Sequence, residues 1–141
     1  ARQPEAATLD GVPYRRLPLR ARPGGTGALS ALARMLAMAR GLDDEVGRHG
    51  AEVVHAHSPS LNGLPALWVA RRRRLPLVYE QRAPWEAAAV ERGRGRDGDA
   101  RTRVAHALET ALMRRVAALV VISHGLREEA MRRGVEAERI R

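Results

Sequence analysis

The sequence predicts an α/β fold of the Rossmann-like type, with an open, mostly parallel sheet and helices on both faces. Two short apolar runs flank one helical segment between Glu52 and Glu86. Strand, helix and strand within about thirty residues is the pattern of a right-handed βαβ crossover. Another helical segment and a third apolar run, at 118–122, continue the alternation, which is typical of a parallel sheet.

The composition limits the class of protein. The length of 141 residues fits one domain, since a domain commonly takes about 100–200 residues. The chain is 45% hydrophobic but only 3% aromatic, so its core must consist of Leu, Val, Ala and Met. It contains no Cys, which excludes disulfides and Cys-ligated metal sites. No apolar run approaches the ~18–20 residues of a membrane span.

The net charge is +9, and all 25 basic residues are arginines. They are spread along the chain and mixed with Glu, whereas a nucleic-acid binder usually presents a clustered basic face. Together with abundant Ala and Gly, the absence of Lys favours the coding bias of a GC-rich genome. We therefore expect no nucleic-acid partner, while peripheral association with anionic membranes stays open.

The N-terminal part is predicted to contain one strand and one helix. Residues 1–11 show no periodic spacing of apolar residues and are interpreted as a surface lead-in. Residues 12–17 are interpreted as an edge strand interrupted by prolines. After a loop at 19–26, a helix is expected from an N-cap at Ser30 to about Arg48. Its apolar stripe comprises Leu32, Met35, Leu36, Ala39, Leu42 and Val46, and Gly50 ends it.

The central crossover is predicted from 52 to 80. The consecutive Val53 and Val54 favour a strand at 52–57 that is covered on both faces. The following helix is expected from Asn62 or Gly63 to about Arg74, and a strand at 76–80 completes the unit. The expected inner positions of this helix are Leu64, Leu67, Trp68, and Ala70 or Arg71.

The C-terminal part continues the alternation. A helical turn is expected at Pro84 or Trp85, a charged loop at 92–99 and a helix at 100–116. The apolar face of that helix comprises Val104, Ala107, Leu108, Ala111, Leu112 and Val116. The run at 118–122 is a buried strand, and Ser123 caps a last helix from His124 to Arg133 that ends at Gly134.

These elements place four strands in one small sheet. Rossmann-like domains open with a strand and a ligand-binding loop, and this sequence starts without them. We therefore expect residues 1–141 to be one partial domain that begins partway through its fold. Polar side chains follow two of its parallel strands, at 57–58 and 80–86, and the carboxyl ends of such strands line the ligand cleft.

An ordered series of motifs resembles the N-terminal domain of retaining family-four glycosyltransferases of GT-B fold. Within that family, the sequence is most similar to the exosortase-associated transferases of exopolysaccharide gene clusters. The series consists of 53–67, 75–80, 82–83, 85–86, 107–110, 114–115, 120–123 and 125–126. Gln81 and Pro84 depart from it, since an apolar and an aromatic residue are expected there.

The resemblance implies two Rossmann-like domains with the active site between them, of which this chain is the acceptor side. The expected substrates are a nucleotide-sugar and a glycan or lipid-linked acceptor, with no cofactor or metal. The expected location is the cytoplasm, and association with the inner face of the plasma membrane stays open. The first strand, its Gly-rich loop and helix, and the donor domain are absent from the sequence, so we expect residues 1–141 alone to be inactive.

The resemblance places a substrate-contacting histidine at His57, although a histidine satisfied by the backbone is the alternative. Glu80 can orient acceptor hydroxyls, and Arg82 can bind a phosphate. The alternative is a structural ion pair between the two residues or with Glu86. Trp85 can stack on a sugar or fill the core. The further substrate-binding candidates are Ser58, Asn62, Glu86, Ser123 and His124, with Ser123 also an ordinary N-cap.

His55 lies two residues before His57, so both imidazoles share a face of the strand. His55 is interpreted as structural, and no convincing third ligand follows from the sequence, so no metal site is predicted.

The sequence has no nucleophile elbow, P-loop or dinucleotide fingerprint in the required context. The alternative function is a stand-alone basic α/β module that binds a nucleotide, RNA or anionic lipid.

Overall fold

A computed structural model describes residues 6–17, 27–83 and 100–141. The expected turn at Pro84 or Trp85, the loops at 19–26 and 92–99, and the site candidates Trp85 and Glu86 lie outside these ranges. The elements are β1 Ala6–Leu9, β2 Val12–Arg15, α1 Ala28–His49, β3 Val54–His57, α2 Ser60–Arg73, β4 Leu77–Gln81, α3 Ala100–Met113, β5 Ala118–Val121, α4 His124–Arg132 and a final 3-10 turn, Ala137–Arg139.

The main sheet confirms the predicted α/β class. It has three parallel strands in the order β3-β4-β5. In its register Val54 lies beside Leu77, and His57 lies beside Glu80. Helix α2 connects β3 to β4 and packs on both strands, while α1 and α3 pack on α2. The carboxyl ends of β3 and β4 therefore meet at one edge of the sheet, as the crossover requires.

The N-terminal strands are separate from this sheet, which corrects two expectations. Residues 6–9, interpreted as a lead-in, form β1, and β2 pairs with it in an antiparallel hairpin. Asp10 and Gly11 make the turn, with φ of 50° and 80°. An Asp-Gly pair with two positive φ values is the preferred two-residue hairpin turn. That dipeptide was the sequence signal for a local hairpin rather than a fourth sheet strand.

One face of the sheet is buried and the other is open within the described residues. On β3, Val54 and Ala56 are buried, whereas His55 and His57 are exposed. Val53 was expected to be covered, but 51% of its surface is exposed. It precedes β3 on the same side as the two histidines, because side chains alternate along an extended chain. The pair of valines therefore did not indicate burial on both faces.

Helix α1 differs from its predicted packing at the N-terminal end. Its N-cap is Gly27 rather than Ser30, which lies in the first turn and accepts a bond from Arg34 Nη1 at 3.1 Å. Gly50 ends the helix in the left-handed conformation as predicted. Ala39 and Val46 are buried, but Leu32 and Leu36 are about half exposed. The expected apolar stripe is thus only partly covered.

Helix α2 packs closely against side chains of α3 and β4 at Gly63. A Cβ atom on Gly63 would lie 2.3 Å from Leu112 Cδ2 and 2.8 Å from Tyr79 Cε2, so only glycine allows this approach. Leu67 and Ala70 are buried as expected. The prediction for Trp68 was wrong, because half of its surface is exposed. The helix also starts at Ser60, earlier than predicted.

Helix α3 buries a different face from the one expected. Leu112 is fully buried, and so is a carboxylate, Glu109, whereas Val104 and Leu108 are exposed. Residue Val116 is buried beyond the end of the helix. At α4 the predicted capping is confirmed, since Ser123 Oγ accepts a bond from the Leu126 backbone N–H at 3.3 Å.

Glu109 joins three elements and has no exposed surface. It accepts a bond from the Ser60 backbone N–H at 2.9 Å and another from the Tyr79 hydroxyl at 2.5 Å. The first bond satisfies a free N–H group at the start of α2, where Pro59 provides no side-chain cap. A negative charge there also favours the helix dipole. Glu109 therefore fixes α2 and α3 to β4.

Replacement of Glu109 by Ala should lower the free energy of unfolding by about 3 kcal/mol, because two buried donors lose their acceptor. Denaturant unfolding measures the change. Glu128→Ala is the control, since Glu128 is exposed on α4 and its replacement should change stability by less than about 0.5 kcal/mol. Equal effects of both substitutions would show that the buried carboxylate does not stabilise the fold.

Candidate functional site

Four predicted site residues meet at the carboxyl edge of β3 and β4. The register places His57 directly beside Glu80. The Ser58 backbone N–H donates to the Glu80 carbonyl oxygen at 2.9 Å, which extends the pairing past the end of β3. The Arg82 backbone N–H in turn donates to Ser58 Oγ at 3.3 Å. We call His57, Ser58, Glu80 and Arg82 the edge cluster.

Glu80 is the centre of the edge cluster. Its Oε1 accepts a bond from Arg82 Nε at 2.7 Å. Its Oε2 lies 3.2 Å from His57 Nδ1 and 3.4 Å from His55 Nε2. The carboxylate is largely covered, whereas both imidazoles and the guanidinium remain accessible. The cluster can therefore present hydrogen-bonding groups to a ligand without a large rearrangement.

The pKa of Glu80 is lowered from its ordinary value of 4.5. The main cause is the hydrogen bond from Arg82; partial burial opposes it, and the charges of Arg82 and the two histidines add to the lowering. Glu80 is therefore ionised at neutral pH. An ionised carboxylate only accepts hydrogen bonds, which suits a ligand that offers hydroxyl groups or a cation.

His55 was interpreted as a deep, structural histidine, and this was wrong. Its side chain is as exposed as that of His57, at 47% against 48%. The two ring centroids lie 4.8 Å apart. The two-residue period of the strand placed both rings on one face correctly, but it could not show that, among the described residues, this face is open. His55 therefore belongs to the accessible surface of the site.

Ser123 lies close to the edge cluster, and His124 and Asn62 do not join it. Ser123 and Arg82 line one cleft of about 510 Å³, whose other walls come from the segment after β5 and from α4. His124 is exposed but is not among the residues that line this cleft. Asn62 lines a separate groove between α1 and α2. Within the described residues, Ser123 alone of these three adjoins the cluster.

Gln81 is a polar residue that sequence reasoning treated only as a departure from a motif. It is the last residue of β4 and only 1% of its surface is exposed. Neither its side-chain nitrogen nor its oxygen has a hydrogen-bond partner among the described residues. Strand alternation places it on the buried face with Tyr79, so an apolar residue was the correct expectation for this environment.

The family model for the glycosyl transferase 4-like domain matches residues 1–141. The chain belongs to this family. The edge cluster is therefore part of a glycosyltransferase domain, as the motif resemblance implied at the level of the family. No curated protein matches the sequence significantly. In the part of this glycosyl transferase 4-like domain that the structure describes, no helix combines the length and apolarity needed to cross a membrane.

In this domain, Arg82→Gln should raise the pKa of Glu80 towards 4.5, because it removes the main cause of the lowering. A carbon-13 NMR titration of the Glu80 carboxyl group measures the shift. A lowered pKa in the folded state stabilises the fold above the ordinary pKa, and this stabilisation is lost as the pH falls through the folded value. The substitution should therefore also flatten the dependence of stability on pH in the acid range.

The matched control for this titration is Arg132→Gln. Arg132 binds a different carboxylate, that of Glu129, at 2.6 Å. Its replacement should leave the titration of Glu80 unchanged, and it should raise the pKa of Glu129 instead, since Arg132 contributes to the lowering there. An unchanged pKa of Glu80 in Arg82→Gln would contradict the role given to the Arg82 hydrogen bond.

Proposed function

We propose that this glycosyl transferase 4-like domain binds the acceptor in a retaining glycosyltransferase. The enzyme moves a sugar from a nucleotide-sugar to a hydroxyl group of a glycan or lipid-linked glycan, in exopolysaccharide synthesis of the exosortase-associated type. A second Rossmann-like domain binds the donor across the cleft. The observation that carries the proposal is the edge cluster, with an ionised Glu80 between His57 and Arg82 in a chain of this family.

The chemistry of the edge cluster fits an acceptor hydroxyl. Glu80 Oε2 accepts a hydrogen bond from the hydroxyl, and the His57 imidazole contacts the same group or its neighbour on the sugar ring. Arg82 holds the other carboxylate oxygen and so fixes the orientation of Glu80. Correct placement of the acceptor oxygen supplies much of the rate enhancement in such a transfer, while the donor domain stabilises the leaving diphosphate.

The alternative of a stand-alone basic binding module has less support. Arginine side chains in several elements are engaged by carboxylates, as in the pairs Arg73–Asp43, Arg82–Glu80 and Arg133–Glu129. Paired arginines contribute little to the attraction of a polyanion, because their charge is neutralised locally. The family match independently supports the proposal that the domain belongs to a transferase.

His57→Ala in the full-length enzyme should lower kcat/KM by about 100-fold, as expected when an acceptor loses a positioning contact. Initial rates with saturating nucleotide-sugar and varied acceptor measure the loss. His49→Ala is the control, because His49 is exposed at the end of α1 and pairs with Glu45. Equal rates for wild type and His57→Ala, or turnover by residues 1–141 alone, would refute the proposed division between the two domains.

We further propose that the domain associates with the cytoplasmic face of an anionic membrane. Leu29, Leu32 and Leu36 are exposed on one face of α1, at helical spacing. Trp68 of α2 shares a groove with Leu32 and Leu36. Large apolar groups exposed together mark an interaction surface. Arg40 lines this groove and Arg71 lines the neighbouring groove beside Trp68, and both can contact anionic headgroups.

The double variant Leu32→Ser/Leu36→Ser should reduce binding to vesicles by at least about tenfold, since two large side chains no longer enter the lipid. Co-sedimentation with phosphatidylglycerol vesicles measures binding, and phosphatidylcholine vesicles should bind less. Val104→Ser/Leu108→Ser is the control, because both residues are exposed on α3. An equal loss in both double variants, or no preference for anionic lipid, would contradict membrane association through α1.

A further inference from the structure

We propose that His55, His57 and Glu80 form a binding site for a zinc ion. Each residue offers one ligand atom, and these atoms all lie within 4.8 Å of one another. The site differs in chemistry from an acceptor subsite, since it recognises a bare divalent cation rather than a hydroxyl group. Its formation therefore goes beyond the proposed transferase function and does not depend on it.

The donor distances fit zinc coordination. Zinc bonds of about 2.0–2.1 Å to His nitrogen and carboxylate oxygen place tetrahedral ligand atoms about 3.4 Å apart. Glu80 Oε2 lies 3.2 Å from His57 Nδ1 and 3.4 Å from His55 Nε2. Both distances are close to the required edge of the tetrahedron. The two imidazole nitrogens lie within 4.8 Å of each other, and rotation of the exposed rings can close this third edge around one ion.

The backbone supplies this arrangement. His55 and His57 lie two residues apart on β3, which places them on one face. The parallel register sets Glu80 beside His57 on the neighbouring strand. The sequence alone showed the two histidines but gave no convincing third ligand. The missing ligand comes from the strand pairing, which brings together residues that are separated by more than twenty positions in the chain.

The type of donor selects the metal. Two imidazole nitrogens and one carboxylate oxygen suit zinc and its neighbours in the first transition series, whereas magnesium and calcium prefer oxygen ligands. The two histidines are about half exposed, so an ion can enter from solvent and keep a fourth position open to water. The site has the ligand set of an exchangeable zinc site rather than of a closed structural one.

Arg82 contributes as a positioning residue. Its Nε holds Glu80 Oε1 at 2.7 Å, so Oε2 is the oxygen left to face the histidines. Partners of this kind orient metal-binding carboxylates and are commonly worth about 10–100-fold in metal affinity. The same atom, Oε2, is needed by an acceptor hydroxyl in the proposed transferase. Bound zinc and bound acceptor should therefore exclude each other.

The test is calorimetric titration of the purified, tag-free protein with zinc chloride in a buffer that does not bind metals. Wild type should bind one ion, and His55→Gln and His57→Gln should each weaken binding by at least about tenfold. The control is His49→Gln, because His49 Nε2 lies 3.3 Å from Glu45 Oε2 without a second histidine. That variant should bind as wild type does.

Cobalt absorption gives a second readout that a purely structural effect would not produce. Co²⁺ added to wild type should show the visible bands of tetrahedral coordination, and these bands should disappear in the His55→Gln/His57→Gln variant. Circular dichroism of the same samples should be unchanged, since both side chains are accessible. Zinc binding that is equal in the double variant and wild type, or absent from wild type, would overturn the proposal.

Discussion

The bond from the Ser60 backbone N–H to the buried Glu109 carboxylate is the contact on which the rest of the structure depends. It fixes the first residue of α2 against α3, and the Tyr79 hydroxyl attaches the same carboxylate to β4. Since α2 starts three residues after His57, its position determines how the chain leaves β3. The absence of a side chain at Gly63 then lets the helix pack against Leu112 of α3 and Tyr79 of β4. The position of α2 is thus set by two contacts, the buried hydrogen bond from Ser60 to Glu109 and the apolar packing at Gly63.

The site follows from that scaffold through strand geometry alone. The crossover makes β3 and β4 parallel, so both strands end at one edge. The two-residue period of a strand turns His55 and His57 away from the core, and the register brings Glu80 beside them. Arg82 then neutralises the carboxylate from its other side. The functional groups are therefore positioned by backbone pairing rather than by a specially folded loop.

The sequence was sufficient for the parts of the fold that depend on periodicity and capping. The parallel strands, the cap at Ser123 and the helix end at Gly50 follow from local patterns, and the structure contains all three. Burial of whole faces was less predictable, because it depends on which neighbours cover an element. Trp68 and Val53 are exposed for this reason, although both are large and apolar. Glu109 belonged to the motif series at 107–110 but was given no structural role, because a carboxylate on a helix is ordinarily taken to be solvated.

Within the described residues, the face of the sheet that carries Glu80 is open, so the proposals can assign more than one ligand to this carboxylate. Glu80 Oε1 accepts the bond from Arg82, and Oε2 lies between the two histidines. In the two proposals, a metal ion and a sugar hydroxyl use the same oxygen atom, Oε2, for which a proton also competes. The lowered pKa of Glu80 makes the proton a weak competitor at neutral pH. The imidazoles discriminate between the other two, because they can coordinate a cation through nitrogen lone pairs or hydrogen-bond to a sugar, but a given lone pair cannot do both at once. On the two proposals, bound zinc therefore blocks the acceptor without any change in the fold.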